Sequence, residues 1–237
     1  MNNLEESMNN NGAWVSMLVV LLSSLATEGA AAVVIGRVSY QGAAPAPESL
    51  PVQSQHQAAC GRTSVSSEEL LVGGDGGLQN VVVTLVGAEG TASPRADVEI
   101  DQEGCVYSPH VQAVPAGSTV TLVNSDDMLH NVHTYRGTNT VFNIAMPIQG
   151  QRIQRQFDEP GVVSVKCDVH SWMSAYVVVT DSEFHTVSDD AGAFTLEGVP
   201  AGTYTLRAWH ESLGTVEQQV TVPESGEVNV TVTFARR

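Results

Sequence analysis

The 237-residue chain is long enough for one large or two small domains, and a hydrophobic content of 42% excludes wholesale disorder. It carries 26 acidic against 10 basic residues, a formal net charge of −16. A surface this acidic repels nucleic acid and anionic lipid, and we therefore expect neither as a partner. It does permit a basic protein partner. Short Val- and Thr-rich runs bounded by Gly, Pro, Asn and Asp predict an all-β protein.

Residues 1–32 predict a signal peptide or an N-terminal anchor. The apolar run at residues 14–26 is too short and too interrupted for a membrane span, and the small residues after it suit signal-peptidase cleavage. Glu5 and Glu6 stand where such a signal usually has positive charges. An atypical signal, a start further along the chain, an uncleaved anchor and a buried helix therefore stay open. We expect a periplasmic or secreted protein without a membrane span if this segment is cleaved.

Residues 33–180 predict one Greek-key sandwich with an N-terminal extension. About eight strands and turn signals such as Pro115-Ala116-Gly117 support this fold class. The strands predicted from alternation in chain order are 33–40, 80–86, 98–100, 111–114, 118–124, 130–135, 151–157, 162–167 and 175–180.

Residues 181–237 predict a small second β-sandwich that follows the first. Its strands are expected at 194–196, 202–209, 215–222 and 227–234, separated by Gly- and Pro-containing turns. Since no low-complexity linker separates the two units, we expect them to pack tightly.

Three soft or intermediate metal donors lie in one short loop between two predicted strands. Cys167, His170 and Met173 are three residues apart and offer a thiolate, an imidazole and a thioether. This donor set favours copper over calcium, magnesium or manganese. Two imidazoles and one thiolate with a weak axial Met form a blue-copper electron-transfer site, so one more histidine is needed.

The second imidazole is expected from the segment Met128-Leu129-His130-Asn131-Val132-His133. Side chains alternate along an extended chain, so His130 and His133 point to opposite faces and do not share one ion. His130 lies nearer the turn and is the predicted ligand.

These two segments resemble the cupredoxin family, and within it the amicyanins. The resemblance is in the Met-x-His-Asn-Val-His stretch, the short Cys-x-x-His-x-x-Met loop and the strand that precedes each of them, and it covers about residues 105–180. It implies an eight-stranded Greek-key sandwich with one mononuclear type 1 copper ion at one end.

The resemblance also implies a role for each residue of the site. His130, Cys167 and His170 are the implied equatorial ligands, and Met173 is the implied axial ligand. Asn131 is expected to hold the two ligand loops together and to donate its backbone N–H to the Cys167 sulfur. The alternative for Cys167 is that it is a buried thiol without a metal or a partner in a disulfide.

Three cysteines in an exported protein allow one disulfide and one free thiol. The resemblance implies that Cys167 is a copper ligand. Cys60 and Cys105 are then the two cysteines left, and we predict a disulfide between them. Two separate thiols are the alternative.

The C-terminal unit resembles the carboxypeptidase-regulatory-like β-sandwich modules. The resemblance is in residues 187–206, where an Asp-Asp-Ala-Gly turn is followed by a strand and by Val199-Pro200-Ala201-Gly202. Such modules carry no catalytic machinery. Together with a cupredoxin, the arrangement resembles periplasmic plastocyanin-like proteins.

The function expected from this resemblance is single-electron transfer between redox partners of unknown identity. The alternative is a non-redox copper-binding or structural module with the same ligands. We expect no enzyme, since a copper oxidase or nitrite reductase needs further histidine-rich sites. The far ring edge of His170 is expected at the surface as the exit for electrons. His56 and His185 are expected in solvent, and His110 at the surface.

Overall fold

The computed structural model describes residues 31–88, 90 and 92–235, and almost all regular structure in them is β. The predicted signal peptide or anchor lies outside these residues, apart from its last two positions. Among the described residues, no helix combines the length and the apolar character that crossing a membrane requires.

Nine strands form the first sandwich, in which two sheets face each other. One sheet has the order β10-β9-β12-β13-β7, and its strands in that order are Asn139–Met146, His130–Arg136, Gly161–Lys166, Ser174–Thr180 and Val111–Pro115. The other has the order β11-β8-β5-β6, and its strands are Gln151–Phe157, Ser118–Asn124, Val98–Glu103 and Val106–Ser108.

Alternation along these strands fills the space between the two sheets. In β12, Val163 and Val165 are buried while Lys166 is exposed; in β8, Val120 and Leu122 point into the same core. β-branched side chains suit this half-buried pleated surface. The core extends to Cys167 and Met173, so one hydrophobic cluster supports both the sandwich and the predicted metal loop.

The second sandwich contains seven strands, and these come from both before and after the first sandwich along the chain. One sheet has the order β15-β1-β18, and its strands are Ala193–Val199, Ala32–Gln41 and Glu227–Ala235. The other has the order β14-β4-β16-β17, and its strands are His185–Val187, Val82–Val86, Gly202–His210 and Gly214–Val222.

The strand pairing differs from the predicted division at residues 180 and 181 in one respect. β1 and β4 precede the first sandwich along the chain but pair with strands of the second. The first sandwich is therefore an insertion between β4 and β14 of the second. β1 lies in the middle of its sheet, and at Gly36 the ring of Phe194 occupies the place of a Cβ, so only glycine fits there.

A short segment between β1 and β4 reaches back to the first sandwich. It contains β2 (Ser49–Pro51), the single-turn helix α1 (Gln57–Cys60) and β3 (Ser64–Ser66), and we call residues 49–66 the cover segment. Val52 and Val65 insert into the core of the first sandwich. The predicted disulfide between Cys60 and Cys105 is present and joins the cover segment to the turn between β5 and β6.

The two sandwiches meet at a buried histidine. His110 is only 6% exposed, so the expectation that it lies at the surface is wrong. Its Nε2 bonds the buried carboxylate of Glu211, its Nδ1 bonds the Ser174 carbonyl, and its ring packs edge-on against Tyr176. Burial lowers the pKa of His110, but the hydrogen bond to Glu211 and the negative charges of Glu211 and Glu68 outweigh it, so the pKa is raised.

We expect Glu211→Gln to lower the melting temperature more at about pH 5.5 than at about pH 9. The folded pKa of His110 is raised, so the pair stabilises the fold fully below the unfolded value of about 6.5, and this stabilisation is lost as pH rises through the folded value. Hydrogen bonds to charged groups contribute about 1.5–3 kcal/mol. Thermal unfolding at both pH values measures the difference. Glu197→Gln, at an exposed position of β15, is the control, and equal losses at both pH values contradict the prediction.

Candidate metal centre

Four predicted ligand residues come from two places in the first sandwich. His130 is the first residue of β9, and Cys167 directly follows β12. His170 and Met173 lie in the turn between β12 and β13, where the Met173 N–H donates to the His170 carbonyl at 2.9 Å. β9 and β12 are hydrogen-bonded neighbours, so their ends bring the two segments together.

Three of these side chains converge on one buried point. The ligand atoms of His130, Cys167 and His170 all lie within 4.8 Å of one another. The two Nδ1 atoms are 3.0 Å apart, and Nδ1 of His170 is 3.7 Å from the Cys167 sulfur. Both rings are fully buried, and Met173 is buried in the same hydrophobic cluster as Cys167.

The environment of Cys167 favours the thiolate. Burial raises the pKa of its thiol, but hydrogen bonds with His130 and His170 and from the Asn131 backbone outweigh burial and lower the pKa to about 6. The thiolate is the form that binds metal ions. The cysteine is not in a disulfide, so the alternative of a disulfide partner is excluded.

Asp126 orients the first histidine. The Nε2 of His130 lies 2.9 Å from Oδ2 of Asp126, whose carboxylate also accepts the backbone N–H groups of Gly104 and Cys105 at 2.7 and 2.8 Å. A carboxylate only accepts, so Nε2 of His130 carries a proton, and Nδ1 is the nitrogen that would bind a metal ion. Burial raises the pKa of Asp126, but these hydrogen bonds outweigh it, so the pKa is lowered.

Asn131 connects the segment that contains His130 with the loop that follows Cys167, as the resemblance to the cupredoxins implies. Its Oδ1 accepts the Asp168 N–H at 2.7 Å, and its Nδ2 donates to the Asp168 carboxylate at 2.9 Å. The same Oδ1 lies 3.3 Å from the Cys167 sulfur, and the buried Tyr107 hydroxyl donates to the Asn131 carbonyl. The loop geometry is thereby fixed from both sides.

His133 lies away from the cluster. Its Nδ1 contacts the Asp168 carboxylate at 3.0 Å, and its Nε2 lies 3.0 Å from the Thr140 hydroxyl. The alternation of β9 therefore separates it from His130.

The far edge of His170 does not reach the surface, so this expectation is wrong. The residue is fully buried, and its Nε2 lies 2.9 Å from Nδ1 of His56 in the cover segment. His56 is accordingly not simply solvated: its ring meets that of His170 edge-on, at a centroid distance of 4.7 Å. The Trp172 ring lies against that of His170, at a centroid distance of 5.0 Å, and donates its Nε1–H to the Cys105 carbonyl.

The donors fit copper. A thiolate and two imidazole nitrogens converge without any carboxylate among them, and a buried thioether lies in the same cluster. A second group of potential ligands consists of Cys105, Asp126 and His130. It does not offer an independent site, because Cys105 is in the disulfide and His130 belongs to both groups.

Two family models match the chain, in overlapping segments. Residues 94–180 match the copper binding proteins of the plastocyanin/azurin family. Residues 94–180 form a cupredoxin domain. Residues 170–235 match the carboxypeptidase regulatory-like domain, so both predicted resemblances are confirmed. The cupredoxin domain contains every residue of the converging cluster, whereas the cover segment lies outside both matched ranges.

Solved structures similar to the chain include several copper proteins. A novel purple cupredoxin from Nitrosopumilus maritimus is 28% identical and covers 35% of this chain and 100% of its own, with a TM-score of 0.32. Amicyanin from Paracoccus versutus is 26% identical and covers 41% of this chain and 97% of its own, with a TM-score of 0.33. A copper-containing nitrite reductase from Thermus scotoductus is 24% identical and covers 40% of this chain and 24% of its own, with a TM-score of 0.32. No curated protein matches the chain.

Proposed function

We propose that this protein is an exported type 1 copper protein that carries single electrons between redox partners, and that it is not an enzyme. His130, Cys167 and His170 would be the equatorial ligands and Met173 the axial ligand of one mononuclear copper ion. The observation that carries the proposal is the convergence of two imidazole Nδ1 atoms and one thiolate in a buried site. When bound there, copper supplies a one-electron couple between Cu(II) and Cu(I).

The residues around the cluster hold its geometry fixed, which is what electron transfer requires. Asp126 fixes the ring of His130, and Asn131 together with Asp168 fixes the ligand loop. Such outer hydrogen bonds orient metal ligands and tune the potential of the metal. Burial of both imidazole rings excludes water from the site, so a change in charge moves few solvent molecules.

The surface charge supports a basic redox partner. With a net charge of −16, the protein attracts a positively charged partner and repels nucleic acid. Such attraction raises the association rate and weakens as salt screens it. The rate of electron transfer to a basic acceptor protein should therefore fall with ionic strength.

One observation favours the alternative, a non-redox copper-binding module. His170 is covered by His56, whereas an electron carrier needs a route from the ion to the surface. Voltammetry and absorption of the copper-loaded protein separate the two functions. A reversible one-electron wave and an intense visible band that disappears on reduction support the electron carrier; copper binding without a reversible wave supports the alternative.

We expect Met173→Leu to change the reduction potential while the intense visible band remains. The band arises from the thiolate, whereas the weak axial ligand tunes the potential. Leucine has a similar volume, so the buried packing around this position is preserved. Voltammetry and absorption spectra of the two copper-loaded proteins test this, and an unchanged potential would remove Met173 from the ligand set.

A further inference from the structure

We propose that His56, in the cover segment, is the port through which electrons enter and leave the centre. This inference rests on the proposed function and names the route that the function uses. It assigns a role to a residue outside the range that matches the copper-binding family, 111 residues before Cys167 in the chain.

The direct route through the edge of the His170 ring is closed. His170 is fully buried, with His56 against its outer nitrogen and Trp172 against its ring. An approaching partner therefore meets the cover segment before it meets any ring of the cluster. Electron transfer slows steeply with distance, so the group that lies between partner and ligand decides the rate.

His56 extends the His170 ring toward the surface instead of merely covering it. With a metal ion on its Nδ1, His170 would carry its proton on Nε2 and donate it to Nδ1 of His56, which lies 2.9 Å away. The two rings thus form a continuous path from the cluster, through one hydrogen bond, to a residue that is partly exposed. The electron passes along this path without a net proton transfer, because each ring keeps its proton.

The cover segment is held in a fixed position relative to the His170 ring. The Cys60–Cys105 disulfide closes the single helical turn that begins after His56, and the Cys60 N–H donates to the His56 carbonyl at 2.9 Å. Val52 and Val65 anchor the two arms of the segment in the core. His56 is therefore fixed on both sides, as a conducting contact requires.

The surface around His56 is suited to contact between molecules. Residues 49–61 contain no Asp, Glu, Lys or Arg, in a protein whose net charge is −16; Glu48 and Arg62 flank this stretch. Like-charge repulsion is weakest where charges are absent and is screened within about 10 Å at 0.1 M salt. Two copies can therefore meet at this patch, and exchange of an electron between a reduced and an oxidised copy reports on the port directly.

The test is the electron self-exchange rate of the copper-loaded protein, measured by NMR line broadening at 0.1 M salt or above. We expect His56→Leu, which keeps the cover closed and apolar, to slow exchange on the order of tenfold, equivalent to about 1.4 kcal/mol. The absorption spectrum should not change. His56→Gln keeps an acceptor for the His170 proton and should retain more of the rate. His185→Leu, in the second sandwich, is the control and should exchange at the wild-type rate.

A second measurement uses the protein without copper. The Nε2 proton of His170 should exchange slowly with solvent in the wild type and show the shift of a hydrogen-bonded imidazole, and this shift should be lost in His56→Leu. If His56→Leu exchanges electrons as fast as the wild type, or faster, His56 is only a cover and the port is disproved. If the loaded wild type exchanges no electrons at all, the proposed function fails, and the port fails with it.

Discussion

Replacing Cys167 with serine is expected to abolish the intense visible absorption of the copper-loaded protein. The band requires a thiolate bound to the ion, and a hydroxyl does not replace it. Loss of an outer hydrogen bond already costs metal sites roughly 10–100-fold in affinity, so loss of the thiolate should cost more. Absorption spectroscopy and a copper titration measure the two effects.

The fold should survive this substitution, since serine is close to cysteine in shape and the sandwich core is otherwise unchanged. Asp127→Asn, at an exposed position in the loop before His130, is a suitable control and should keep the full band. A band that persists in Cys167→Ser would place the copper elsewhere and would overturn the ligand assignment.

Removing the disulfide, as Cys60→Ala/Cys105→Ala, is expected to lower the free energy of unfolding by about 4 kcal/mol, since the bridge closes a loop across 45 residues. The bond limits the freedom of the unfolded chain, and it also fixes the cover segment in the native state. Urea unfolding of the copper-free protein measures the loss as a lower midpoint.

The variant should also exchange its copper faster with a chelator, because His56 is then held only by noncovalent contacts above His170. Ser66→Ala, an exposed substitution in the same cover segment, serves as the control. Equal unfolding midpoints for the variant and the oxidised wild type would contradict the prediction.

Local sequence patterns were sufficient for most strands of the cupredoxin domain. β8 and β11 have the predicted bounds, because their alternation ends at strong turn signals. β10 was missed. It is an edge strand whose residues are mostly exposed, and a strand that pairs on one side alone needs little hydrophobic alternation.

The partners of a strand were harder to predict than the strand itself. The alternation in β1 and β4 gives two strands, but no local pattern shows that β1 pairs with β15 and β18, or that β4 pairs with β14 and β16, about a hundred residues later or more. Pairing depends on the complementary shapes of two distant surfaces, and one sequence without relatives does not contain that information in local form.

The proposed ligands and the residues that support them differ in the same way. His130, Cys167, His170 and Met173 are visible because donor chemistry and short spacing mark them. Asp126 lies only four residues before His130, and a nearby carboxylate is a common partner of a ligating histidine, so this proximity is the one signal that could have indicated it. No sequence pattern indicated a role for His56, because nothing in its neighbouring residues connects it to His170.

The position of β1 between β15 and β18 has a consequence for biosynthesis. Every strand of the cupredoxin domain has been synthesised once Thr180 is added to the chain, whereas β1 obtains its first partner, β15, at Val199 and its second partner, β18, at Ala235. One of the first strands to be synthesised therefore lacks its second partner until nearly the whole chain exists. The copper-binding half is ready to mature first, and the enclosing half closes around it last.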